Sequence, residues 1–143
     1  MNIRSTSKSA LFLMELMIAI LFFSVAGAVC IQLFVSSHLL SESTVNTNQS
    51  ILHSQTIAEA FTGTNADILE LQKILQASPI GESSLELYFD QDWKACNEAI
   101  ARFTATVSLR NESGLYYADI VFSDNTGLVL YQLTVSHYLQ KTS

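Results

Sequence analysis

From Leu16 to Ser41 the chain carries no charged residue, and this stretch constrains its fold more than any other feature. Residues Leu11 to Val35 are almost wholly apolar. As a helix rising about 1.5 Å per residue they reach about 37 Å, enough to cross the hydrocarbon core of a bilayer. Removing this segment from a 143-residue chain leaves about 108 residues from Ser36 onward, which supports one modest core and excludes a multidomain enzyme. The composition, 49% hydrophobic and 14% charged, is therefore an average over two populations.

Charge divides in the same way. Arg4 and Lys8 precede the apolar run, whereas the first cation after it is Lys73; this asymmetry predicts a cytoplasmic N-terminus and an outer domain from about Ser36. That domain holds five cations (Lys73, Lys94, Arg102, Arg110, Lys141) and twelve acids, a net of −7. Such a surface repels phosphate backbones, so nucleic acid is disfavoured as a partner.

Three readings compete for the N-terminal segment. Ala26 and Ala28 have the spacing of a signal-peptidase site, which suits a cleaved secretory signal. An uncleaved anchor is the second reading. The third begins from Glu15, a carboxylate early in the apolar run, where a plain signal or anchor gains nothing from a group that is costly in lipid. A lipoprotein signal is excluded because Val29, not a small residue, precedes Cys30.

The run Lys8-Ser9-Ala10 followed by Leu11-Phe12-Leu13-Met14-Glu15-Leu16 resembles the N-terminus of type IV prepilins and of the pseudopilins of type II secretion and competence systems. The resemblance covers about 25 residues. It implies a leader of residues 1–10, cleavage by prepilin peptidase between Ala10 and Leu11, N-methylation of Leu11, and Glu15 as the fifth residue of the mature chain, serving subunit assembly. Two departures stand out: Ala10 and Leu11 occupy places where the family usually has Gly and Phe, and Gln32 stands where major pilins often carry Pro. The first bears on the efficiency of cleavage; the missing Pro leans towards a minor pilin or pseudopilin. Expected partners are other pilin or pseudopilin subunits, the peptidase, the inner-membrane platform of an assembly machine, and lipid. A membrane-anchored or secreted adhesion domain is the alternative from another class.

Physics assigns Glu15 a role beside the resemblance. Cleavage would expose the ammonium of Leu11 in or near lipid, and Glu15 can neutralise that group in its own or a neighbouring subunit. Leaving either ion alone is the expensive state, so the pair would set register between subunits.

Beyond the membrane segment (11–35) there is neither Gly nor Pro between Gly27 and Gly63, so the helix should continue through 36–62, about 52 residues or about 78 Å in all. Leu39, Leu40, Val45, Leu52, Ile57 and Phe61, with Ile51 and Ala58, mark an expected docking face. Weak helix formers between Ser43 and Ser50 predict a frayed turn. A second, shorter helix is expected after Thr64 or Asn65 as N-cap, with Asp67 in its first turn and Ile68, Leu71, Ile74 and Leu75 on one face, ending before Pro79.

After Gly81 the apolar period becomes two, first in Leu85-Leu87-Phe89 and then in Phe103-Ala105-Val107-Leu109. Strands Leu115 to Phe122 and Leu128 to about Tyr138 follow turns at Asn111–Gly114 and Asp124–Gly127. The predicted fold is α+β and pilin-like: a long N-terminal helix on an antiparallel meander of about four strands, with 63–143 as the outer globular region. Gln91 to Ala101, holding Trp93 and Cys96, reads as a short helix or an irregular connection.

Chemistry is sparse. His38, His53 and His137 have no ligand spacing, and each reads as a surface or sheet histidine. Cys96 reads as a buried thiol or an intermolecular link, and a Cys96–His137 nucleophilic pair lacks an orienting third group. Asp90 and Asp92 are the best calcium candidates but supply too few oxygens and no EF-hand glycine. Asn111-Glu112-Ser113 matches a glycosylation triplet, a weak signal in the bacterial setting implied by the resemblance. No cofactor, no metal and no enzyme activity is expected.

Overall fold

The computed structural model describes residues 4–139; the first three residues of the predicted leader and Lys141 lie outside them. The chain divides into two compact units, one ending at Ser43 and one beginning at Thr44. Helix α1 (Arg4–Gly63) contributes to both.

From Arg4 onward the first unit is helical, because nothing there breaks an i to i−4 ladder. Its large apolar side chains are exposed from Leu11 to Leu40. Ser24 in mid-run is accommodated by donating its hydroxyl to the Ile20 carbonyl (2.8 Å), which keeps a polar group satisfied where no water is needed.

The second unit is the expected α+β arrangement, with residues 44–63 of α1 laid on an antiparallel sheet. The helix shows no break between Ser43 and Ser50, contrary to the frayed turn expected there. Packing overrides propensity: Ser50 Oγ donates to the Asn46 carbonyl (2.8 Å), and Asn46 Oδ1 accepts the Trp93 indole N–H (3.2 Å). The buried seam is Ser50, Ser54, Ile57, Phe61 and Thr64, spaced by alternating fours and threes. Only its C-terminal half matches the expected docking face. Leu39, Leu40, Val45 and Leu52 are exposed, while Ser50 and Ser54 are fully buried. Ala105 and Ala118 in the sheet are also at zero exposure.

Thr64 closes α1, its hydroxyl donating to the Phe61 carbonyl (3.2 Å) and its N–H to that of Ala60 (2.9 Å). Asn65 and Ala66 then turn the chain at positive φ (51° and 63°). The cap of helix α2 (Ile68–Leu75) is Asp67, not Thr64 or Asn65: its Oδ1 accepts the N–H groups of Leu69 (2.9 Å) and Glu70 (3.4 Å). The helix ends at Gln76 in the left-handed region, ahead of Pro79.

The sheet has five strands, one more than expected: β1 (Ser78–Ile80), β2 (Ser84–Phe89), β3 (Phe103–Glu112), β4 (Leu115–Asp124) and β5 (Val129–Tyr138). They pair in sequence order, all antiparallel. β1 contains Pro79, which reads as a breaker but is tolerated on an edge strand. Both predicted turns form. Ser113 and Gly114 have positive φ (56° and 88°), the primed hairpin geometry that matches strand twist, and Asn111 Oδ1 accepts the Gly114 N–H (3.2 Å). Asp124 Oδ1 accepts from the backbone of Thr126 (2.8 Å) and Leu128 (3.0 Å). Ile57, Phe61 and Leu71 join Leu85, Val107, Ile120 and Phe122 in one core.

Candidate functional site

The site inferred from sequence lies on the first unit. Ala10 and Leu11 are neighbours in one turn of α1 and Glu15 lies on the next, all exposed, with Leu11 and Glu15 on the same face at i and i+4. Among the described residues every ion pair involves Arg110, so Glu15 has no salt-bridge partner within the described chain. Glu15 is also the only carboxylate between Lys8 and Glu42. The helix is long and apolar enough to cross a membrane, and its apolar window has no share buried inside the protein. A core helix of a soluble domain passes the length test but is covered by its own fold.

The second unit contains a cavity of about 460 Å³ bordered by α1, the end of α2, β2 and the segment after Trp93. His53 and Cys96 both line it. The Cys96 thiol is pushed above its usual value by partial burial and by Asp90, so it stays protonated at neutral pH, a poor nucleophile or thiolate ligand. His137 lies elsewhere, edge-on to Phe61 with ring centroids 6.4 Å apart. The pair considered from sequence, Cys96 and His137, is thus not brought together at the cavity. Cys96 is half-buried and free, and Cys30 lies exposed in the membrane-compatible helix.

Gln91 to Ala101 is mostly irregular. Asp90 Oδ1 accepts the N–H groups of Asp92 (2.8 Å) and Lys94 (3.0 Å), so this carboxylate builds the loop. Among the described residues no three His, Cys, Asp or Glu side chains converge as a metal site. The loop sets Trp93 at positive φ (61°) and inserts its ring into the core, stacked on Phe103 at 4.2 Å. A bulky residue is strained there; stacking and the indole bond to Asn46 hold it. Sequence reading missed this role because a lone Trp in a polar segment has no period.

His53 is predominantly a packing residue, its ring 4.5 Å from Phe89 and 5.8 Å from Trp93 by centroids. Burial lowers its pKa, and a hydrogen bond with the Trp93 backbone opposes this more weakly. Below about pH 6.5 the unfolded chain takes up a proton that the folded chain resists. Stability should therefore fall as pH drops from 7.5 to 5.5, and His53→Phe should flatten that slope. Thermal melts of both proteins across this range check it; a slope unchanged in the variant would contradict it.

Arg110 is engaged on the outer sheet face by Asp119 (3.0 Å) and Glu112, and lies 4.4 Å over the Tyr117 ring. This leaves the acidic region without a cation cluster around Arg110. Comparisons with family models, with curated proteins and with solved structures return no match.

Proposed function

We propose that this protein is a structural subunit, a minor pilin or pseudopilin, of a type IV pilus or of a type II secretion or competence pseudopilus. The observation that carries the reading is Glu15, a single carboxylate four residues beyond Leu11 on an uncovered apolar helix that ends packed on an antiparallel sheet. In this account prepilin peptidase removes residues 1–10, Leu11 becomes the methylated N-terminus, and residues 11–35 anchor the chain with its acidic domain outside. Glu15 then pairs with a Leu11 ammonium as subunits pass from lipid into the filament core, guided by the inner-membrane platform. Among the described residues of the second unit, burial and Asp90 push the Cys96 thiol up, and Asp90 is occupied by the backbone. The chemistry of the mature N-terminus tests this reading. Cleavage after Ala10 supports it, and an intact leader in assembly-competent cells overturns it.

A further inference from the structure

The two edges of the sheet are finished differently. At one edge β1 is three residues long and contains Pro79. Beyond it β2 is covered where Phe89 bridges Ala95 and the Cys96 N–H donates to the Tyr88 carbonyl (2.9 Å). Shortness, proline and a covering segment all keep an edge from pairing. β5, at the other edge, has none of them: it runs for ten residues without a charge, Pro or Gly. Among the described residues no strand pairs beyond it.

Register identifies the free groups. The Leu109 N–H donates to the Ser83 carbonyl (2.7 Å), and the Asp124 N–H to that of Leu128 (3.0 Å). Alternation carried through the pairings turns the backbones of Tyr131, Leu133 and Val135 toward β4, and those of Gln132, Thr134 and Ser136 away from the sheet. The side chains of Tyr131, Leu133 and Val135 are only half-buried, whereas their partners Phe122, Ile120 and Ala118 are completely buried. The edge therefore offers a row of unpaired donors and acceptors beside an apolar row that is incompletely covered.

We infer that β5 is a docking edge for an extended strand of a different protein. The added strand places apolar residues at alternate positions beside Leu133 and Val135, and basic rather than acidic residues between them, because the domain carries −7. A second copy fits less well. Two β5 strands paired antiparallel would bring together two domains of −7 each, which repel one another. A head-to-tail continuation would require β1, which Pro79 and its length block. The choice of a foreign strand rests on the charge of the domain; the openness of β5 does not.

The test uses the full chain in lipid nanodiscs and three synthetic ten-residue peptides. The first alternates Val with Lys and Thr and is N-methylated along one edge, the second has Glu for Lys, and the third is N-methylated along both edges. The first should slow amide exchange at Gln132, Thr134 and Ser136 about tenfold, and the other two should not. Gln132→Pro and Ser136→Pro remove outward N–H groups without touching the ladder to β4, so each should abolish protection while leaving the melting temperature in place. Equal protection by the doubly methylated peptide, or none by any, overturns the docking edge. A spontaneous Thr134→Cys disulfide between copies would overturn the foreign strand in favour of self-pairing. Failure of processing at Leu11 would overturn the pilin reading and leave the docking edge standing, so the two failures are told apart.

Discussion

Glu15→Gln should insert into the membrane as well as the parent chain and yet be depleted from assembled filaments. Its side chain keeps the shape and loses the charge, so hydropathy and helix propensity barely change. In the proposed subunit, what changes is the partner for the Leu11 ammonium. In lipid or in a filament core an uncompensated ion costs several kcal/mol, and each 1.4 kcal/mol is a factor of ten in an equilibrium. In competition with the parent chain, incorporation should therefore fall roughly a hundredfold, measured as the ratio of the two forms in sheared filaments against membranes. Glu15→Asp, which keeps the charge, should recover part of the loss. Equal incorporation of the Gln form would remove Glu15 from assembly.

Trp93→Ala should do the opposite, unfolding the second unit while leaving insertion untouched. Trp93 is 8% exposed, stacked on Phe103, close to His53 and Phe89, and bonded through its indole N–H to Asn46 on α1. Truncating such a side chain costs about 3–5 kcal/mol, and each kcal/mol lowers the melting temperature of a domain this size by about 4–8 °C. Some strain at positive φ is relieved by the smaller residue, which trims the loss without reversing it. Trp93→Phe should fall between, retaining stacking but leaving Asn46 Oδ1 without its donor. The check is a melt followed by near-ultraviolet circular dichroism, and a Trp93→Ala protein within 1 kcal/mol of the parent, roughly, would deny the loop its anchoring role.

The two variants separate what was legible in the residues from what was not. Glu15 stands out because lipid makes one charge costly, and the strands from Leu85 onward stand out because a sheet with one wet face imposes a period of two. Asp124 and Asn111 announce turns through side chains that bond their own backbone. The docking seam did not announce itself. Hydrophobicity selects Val45 and Leu52, but the helix turns Ser50 and Ser54 inward, and Ser50 keeps its hydroxyl satisfied on the Asn46 carbonyl. β1 was hidden by Pro79, whose missing N–H matters only in a central strand. The cap of α2 moved to Asp67 because Asn65 and Ala66 were needed for a left-handed turn that single-residue propensities do not reveal.

The central claim concerns ten residues and one new terminus. Intact mass and N-terminal sequence of the protein purified from its native membrane test it most directly. The account predicts a chain beginning at Leu11 and heavier by one methyl group. A chain beginning at Val29 would instead make this an ordinary secreted domain, and one retaining Met1 would make it a plain membrane anchor; either result contradicts the account.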